Sequence, residues 1–287
     1  MGRTYDTVSF LTDYGLDDEF VGVVKSVLRD MAPHVTVVDL THGVRPFDVR
    51  GGSLALARSI SYVAEGVVLA VVDPGVGTAR RAVAIEVAGG SGIVVGPDNG
   101  LLAPAVAIVG GAERAVELTN PDLQLPAPGA TFAGRDVFAP AVAHLCNGVD
   151  LAELGPAIEP ELLMPGMVGL PREEPDGIHA EVLWVDRFGN CQLNVGPDDL
   201  AAGTDTWTVT IDSDRRSAKL ATTYGELGAG SVGLVLDSQG LYSLSFDQRS
   251  AASELRLAAG DLVILSAIED DPPPPPVTSP VTLRRDR

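Results

Sequence analysis

Basic residues are scarce in this chain. Twenty Lys and Arg stand against 39 Asp and Glu, a formal net charge of −19. That balance argues against a nucleic-acid partner, because such affinity comes largely from cations that neutralise phosphates. It favours a small substrate and is compatible with a cationic one. Cysteine is scarcer still. Cys146 and Cys191 are the only two and neither sits in a CxxC pair, which excludes a disulfide framework and reads as two free thiols. Although 45% of residues are hydrophobic, no run reaches the roughly 20 apolar residues that a spanning helix needs. The opening MGRTYDTVSFLTD lacks the basic, apolar and small-residue regions of a secretory signal, so the cytoplasm is the expected location. No GxxxxGK[ST] occurs, nor a GxGxxG between strand and helix, and nucleoside triphosphates and dinucleotides lose ground as ligands. His34, His42, His144 and His179 are scattered without ligand spacing. Structural or surface roles are expected for them, and no metal site.

What is present has a two-part grammar. Over the first half, short β-branched runs (TVSFLTD, VTVVDL, GVVLAVVD) alternate with amphipathic stretches at 17–31 and 48–63, the pattern of an α/β domain with a mainly parallel central sheet. In 17–31, Phe20, Val23, Val24, Val27, Leu28 and Met31 recur at helical spacing behind Asp17 and Asp18, acids that suit a helix N-terminus. Further strands are predicted at 82–87, 92–96 and 114–118, and a helix at about 136–147 that stops at Asn147-Gly148. Residues 1–165 are therefore expected to form the first domain and 166–177, rich in Pro, Gly and charge, a linker. From 178 to 268 strand-like runs dominate (HAEVLWVD, TWTVTID, SVGLVLD, LYSLSF, DLVILSA), which predicts an all-β barrel or sandwich. Residues 269–287, acidic, then polyproline, then basic, are expected to be a disordered tail.

Three strand-like runs in the first half end on acids: Asp13, Asp39 and Asp73. In open α/β sheets ligands bind beyond the carboxyl ends of the strands, which makes these positions site candidates. Asp73 opens DPGVGTARR, whose Pro and Gly suit a tight loop close to a ligand, although Asp-Pro-Gly is also ordinary turn chemistry. GPDNGLL at 96–102 and DRFGNCQLN at 186–194 are two further candidate segments. In the second, Phe188 can stack on a flat ring and Asn190 pair with its polar edge. A β-bulge with a core Phe explains the same residues.

Taken in order, FLTDYG (10–15), DLTHGVRPFDVRGG (39–52), VVDPGVGTARR (71–81), GPDNGLL (96–102), TFAGRDVFAP (131–140) and DRFGN (186–190) resemble the S-adenosyl-L-methionine hydroxide adenosyltransferases, the hydrolytic relatives of the fluorinase and chlorinase. The resemblance spans about residues 5–268. It implies an α/β domain followed by a β-barrel domain, and a homotrimer whose sites lie where one subunit's first domain meets its neighbour's second. It also implies hydrolysis of S-adenosyl-L-methionine at the ribose 5′ carbon to adenosine and L-methionine, with no metal or organic cofactor. By this resemblance Asp13 binds the ribose hydroxyls and Phe47 lines the ribose side. Phe188 and Asn190 face adenine, and Asp186 and Ser238 hold the amino-acid group. Asn99, Phe132 and Gly134 complete the candidate substrate contacts.

Asp73 separates the branches of that family. Halogenating relatives carry a non-acidic residue there, whereas a carboxylate repels a halide and can take a proton from water. Arg80 matches the arginine that pairs with this aspartate. One position departs from the pattern: Ala133 stands where the family carries histidine, and a methyl group can neither relay a proton nor hydrogen-bond water. Slower turnover with retained substrate binding is therefore expected. Two alternatives follow, a halide-using adenosyltransferase with room for an anion beside Ala133 and Gly134, and a non-catalytic trimer that binds S-adenosyl-L-methionine.

Overall fold

The computed structural model describes residues 2–268, and the chain divides into two compact units, Met1–Gly169 and Leu170–Arg287. The tail expected over 269–287 lies outside the described residues.

The first unit is built on a seven-stranded sheet: β1 (Thr7–Thr12), β2 (Thr36–Thr41), β3 (Gly66–Val71), β4 (Ala82–Val87), β5 (Gly92–Pro97), β6 (Arg114–Glu117) and β7 (Ala157–Ile158), in the spatial order β2-β1-β3-β5-β4-β6-β7. The β2-β1-β3-β5 section is parallel, and β4, β6 and β7 add antiparallel pairings. The helices are α1 (Phe20–Met31), α2 (Val49–Ile60), α3 (Ala103–Ile108) and α4 (Ala139–Cys146).

Strand β3 shows why the sheet is covered on both faces. Its continuous apolar run GVVLAV is wholly buried, as a strand sandwiched between helix layers must be. Val67, Leu69 and Val71 point into one core with Val24 and Leu28 of α1 and Val142 and Leu145 of α4. Val68, Ala70 and Val72 point into the other with Leu56 of α2 and Val106 of α3. The chain leaves β1 for β2 through α1 on one face, then crosses to β3 through α2 on the other. The sheet order thus reverses direction at β1–β3, a topological switch point, and a crevice opens beyond the carboxyl ends of those two strands.

Local signals set the helix starts. Asp48 caps α2, its Oδ1 accepting from Gly51 N at 2.7 Å, and a Cβ at Gly51 would lie 2.3 Å from Asp48 Oδ2. Asp17 and Asp18 do not open α1. The helix begins at Phe20 with Glu19 at its cap, one turn later than the acids suggest. The helix expected at 136–147 is α4 preceded by a wider π turn over Gly134–Phe138, a distortion that concentrates at functional sites.

The second unit is a closed seven-stranded barrel. Its strands are β9 (Gly177–Val185), β10 (Cys191–Leu193), β11 (Thr206–Ile211), β12 (Asp214–Ala221), β13 (Val232–Leu236), β14 (Tyr242–Ser245) and β15 (Leu262–Ala267). They run β10-β14-β13-β12-β11-β15-β9, and a β9–β10 pairing closes the ring. Residues 172–174, inside the stretch expected to be a linker, form strand β8 (Arg172–Glu174) on the outer edge of β9. Inward residues such as Val182, Leu193, Val209, Leu234, Leu244 and Leu265 fill the interior, as a barrel of this size requires. Cys146 and Cys191 are both buried and free, one in each unit.

Candidate active site

The crevice at the switch point of the first unit is a cavity of about 400 Å³. Asp13 follows β1 directly and Asp73 lies two residues past β3, so neighbouring strands deliver both carboxylates to it. Phe47, Phe132, Ala133 and Gly134 also line it. Tyr14, Asp18, Phe20 and Thr131, which no sequence signal marks as site residues, line it as well. Among the described residues, Asp13, Asp18 and Asp73 are its only charged lining residues, an electrostatic setting that favours a cation and opposes an anion.

Asp73 and Arg80 form the most enclosed ion pair there. Arg80 Nη2 donates to Asp73 Oδ2, with the two side chains 11% and 5% exposed. The tight turn through Gly75 and Gly77, the latter at φ +77°, brings Arg80 back onto Asp73. The guanidinium also donates from Nη1 to the Arg81 carbonyl at 2.9 Å and lies 5.5 Å from the Phe138 ring centroid. Burial raises the Asp73 pKa above its ordinary value of 3.8, and the Arg80 charge and hydrogen bond oppose the rise without cancelling it. The Gly75 backbone also lowers the Asp73 pKa by hydrogen bonding, and Arg80 Nε is buried with no hydrogen-bond partner.

Asp13 has a structural task in this wall. Its Oδ2 accepts from Phe47 N at 2.9 Å. Phe47 holds φ +68°, costly for a bulky residue and tolerated where surrounding structure over-determines it. The ring is 74% exposed at the cavity rim. Tyr14, Phe20 and Phe132 form an aromatic cluster with centroids 5.1 to 5.9 Å apart. Burial, reinforced by the charges of Asp13 and Asp73, raises the Tyr14 pKa far above its ordinary value and keeps the phenol neutral.

Gly134 is a packing requirement. A Cβ there would stand 2.3 Å from Tyr14 Oη and 3.2 Å from Phe132 Cε2, and Tyr14 is held between Phe20 and Phe132. For Gly134→Ala we therefore expect displaced aromatic rings, about 1–3 kcal/mol of lost stability from overpacking, and a raised KM. Thermal melting and steady-state kinetics check both; unchanged values on both counts would show that the cluster is not rigid.

Two candidates lie elsewhere. Asn99 is not among the residues that line the cavity. Its Nδ2 donates to the Val72 carbonyl at 2.9 Å and its Oδ1 accepts from Leu101 N at 3.2 Å, which fixes the backbone one residue before Asp73. Asp39 belongs to β2, pairs with Lys25 at 2.8 Å and faces buried His42 at 3.1 Å. Lys25 and His42 hold the Asp39 pKa below its ordinary value against the effect of burial. His42 in turn meets Thr12 Oγ1 through Nδ1 at 2.8 Å, a network that secures the β1 end rather than the cavity.

The remaining candidates belong to the second unit. Asp186 Oδ1 accepts from Phe188 N at 2.9 Å and Asn190 N at 2.8 Å, and its Oδ2 accepts from Asn190 Nδ2 at 2.8 Å. Gly189 turns this loop at φ +87°. The result presents Phe188 78% exposed, so the reading of that residue as a core Phe is set aside. Ser238 is exposed on a loop organised by Asp237, whose Oδ1 accepts from Gln239 N at 2.8 Å and whose Oδ2 accepts from Gln192 Nε2 at 2.6 Å. Tyr224 feels the charges of both Asp186 and Asp237, which with burial raise its pKa. No sequence signal marked Tyr224 or Asp237.

Metal-ligating side chains meet in one place among the described residues: Glu174, Asp176 and His179 at the β8–β9 hairpin, with ligand atoms within 4.8 Å of one another. The two carboxylates are exposed, and Arg172 Nε stands 3.9 Å from Glu174. No described helix is long and apolar enough to cross a membrane.

Residues 8–155 match the SAM hydroxide adenosyltransferase N-terminal domain, and residues 180–264 match the C-terminal domain of that description. Over 262 residues the chain is 45% identical to a Salinispora tropica protein named (R)-S-adenosyl-L-methionine hydrolase, covering 91% of this chain and 97% of that protein. A Nocardia brasiliensis protein named fluorinase is 28% identical over 287 residues, covering 88% of this chain and 94% of that protein. Among solved structures, an uncharacterized conserved protein from Thermotoga maritima superposes with a TM-score of 0.82 at 31% identity, covering 90% of this chain and 99% of that one.

Proposed function

This chain belongs to the SAM hydroxide adenosyltransferase family, and on that premise we propose how it acts as an S-adenosyl-L-methionine hydrolase. Water attacks the ribose 5′ carbon, the carbon–sulfur bond breaks with its electron pair going to sulfur, and adenosine, L-methionine and a proton result. The leaving group departs as a neutral thioether and needs no acid. The protein's share is an aligned, desolvated oxygen nucleophile.

The observation that carries this reading is the buried Asp73–Arg80 pair at the switch-point cavity. Asp73 accepts the proton that water loses. Arg80 holds the carboxylate in place and partly offsets the effect of burial on its pKa, a trade of basicity for positioning. Asp13 and Phe47 take the ribose side, the aromatic cluster and Gly134 shape the wall, and Asn99 acts through the backbone before Asp73. Asp186, Phe188, Asn190 and Ser238 supply the adenine and methionine contacts from the second unit of a neighbouring subunit in a homotrimer, in the cytoplasm. The high exposure of Phe47 and Phe188 supports the intersubunit arrangement. No resident cofactor enters this chemistry.

The halide-using alternative is not favoured. The hydrolase relative is the nearer of the two at 45% against 28% identity, and a cavity lined by three carboxylates repels an anion.

Incubation of the purified protein with S-adenosyl-L-methionine, with and without chloride, followed by mass spectrometry of the products, tests the reaction. Adenosine and methionine above a no-enzyme control are expected, independent of chloride. Chloride-dependent 5′-chloro-5′-deoxyadenosine would revive the halide alternative, and tight binding with no product would point to a non-catalytic trimer. Native mass spectrometry reads the oligomeric state. Ala133→His is expected to raise kcat by about a hundredfold, the low end of what a positioned imidazole contributes, with little change in KM. An unchanged rate would mean that an imidazole has no task at this position.

A further inference from the structure

A second cavity, of about 440 Å³, lies on the far side of the Arg80 side chain. Arg80 lines it, Asp73 lines the substrate cavity, and Ala133 lines both. The Asp73–Arg80 pair and the methyl group of Ala133 therefore form the partition between two compartments. Glu117, Gln124 and Asp136 share the lining of the rear compartment with Arg80. Its outer wall is the 124–130 loop, held by Leu125 N donating to the Asp136 carbonyl at 2.9 Å and by the close approach of Ala130 to Gly77.

We propose that this rear cavity is the water compartment of the active site, and that the nucleophile reaches Asp73 past Arg80 and Ala133 rather than through the substrate's own entrance. The inference rests on the hydrolase reading above. Each turnover consumes one water, and a bound substrate that fills the front cavity excludes solvent from that side. An in-line displacement also requires the incoming oxygen on the face of the carbon opposite the departing sulfur. A cavity holds water when it is roomy and offers polar partners. The rear cavity opens to solvent at its exposed 127–130 rim and offers the Glu117 carboxylate and the Gln124 side-chain oxygen beside Arg80, while Asp136 is engaged by Arg135 and Gln124 Nε2 by the Leu118 carbonyl. The pair itself carries the independent mark. Arg80 Nε, on the wall of this cavity, is buried without any partner, and bound water is one of the few ways in which native proteins satisfy such a group.

Narrowing the compartment away from the substrate gives the test. Leu125 lines the rear cavity and not the front one. Leu125→Trp is expected to lower kcat by about tenfold, the scale of a modest misplacement of the reacting groups. KM and the calorimetric affinity for S-adenosyl-L-methionine should stay at wild-type values, and Leu125→Met should match wild type throughout. If Leu125→Trp does not fold, Leu125→Phe is read in the same way. A folded, rear-filled variant with wild-type kcat overturns the inference, because water then enters from the front. Failure of the hydrolase reading is a different result: the wild-type protein itself would form no adenosine.

Discussion

Asp73→Asn is expected to lower kcat by about a hundredfold or more, within the range that a positioned general base contributes, while KM stays within a few-fold of wild type. Asparagine keeps the shape of the carboxylate, and its carbonyl can still accept from Arg80, so the loop through Gly75 and Gly77 should hold. What is lost is the ability to take a proton. The pH profile separates this role from a structural one. Burial lifts the Asp73 pKa above 3.8 and Arg80 only partly restores it. Activity needs the ionised carboxylate, so kcat in the wild type should fall as pH drops through a value raised above 3.8. In Asp73→Asn that acid limb should vanish and leave a low, flat rate. A variant that keeps both the wild-type rate and the acid limb would remove Asp73 from the chemistry.

How far this arrangement can be read in the sequence depends on the kind of signal each part leaves. The run GVVLAV announces β3 because a strand buried on both faces is apolar throughout, and α1 is legible in its apolar periodicity. Asp13 and Asp73 are visible as acids at strand ends. That they sit at neighbouring strands follows only from the crossing of α1 and α2 to opposite faces, which no local pattern records. Strand β12 leaves no such signal. Its sequence DRRSAKLA is largely exposed and lacks β-branched residues, so its pairing with β11 and β13 is imposed by barrel closure rather than by propensity. The helix α3 is too short for its periodicity to register, and the acids before α1 misplace its start by one turn.

The site divides in the same way. In the sequence Phe20 is one more apolar residue on a helix face, yet with Tyr14 and Phe132 it builds the aromatic wall of the cavity. GPDNGLL is a candidate segment in the sequence, and in the structure its Asn99 donates to the backbone carbonyl of Val72. Tyr14 lies inside FLTDYG, but only the 2.3 Å approach of its hydroxyl to a Cβ at Gly134 explains why the two positions depend on each other. The rear cavity left no trace in the sequence, since its polar lining is drawn from four separate segments.

Arg80→Met should cost more stability than any other single change at the site. With the two partners 11% and 5% exposed, removing the guanidinium leaves a buried carboxylate uncompensated. Breaking such a pair costs about 3–5 kcal/mol, even where the intact pair contributes little net stability. The loss should depend on pH in a defined sense. Asp73 already binds its proton more tightly in the fold than in the unfolded chain, and without Arg80 the difference widens. A carboxyl with a raised folded pKa contributes fully below its unfolded value of 3.8, and that contribution disappears as pH rises through the folded value. Thermal melts should therefore show Arg80→Met near wild type in acid and increasingly destabilised toward neutrality. The double variant Asp73→Asn, Arg80→Met removes the buried charge together with its partner and should regain much of the stability at neutral pH, while remaining inactive. Equal destabilisation of Arg80→Met at acid and neutral pH would assign the loss to the guanidinium's packing on Phe138 instead, and the ion pair would then be a positioning device with no electrostatic hold on the fold.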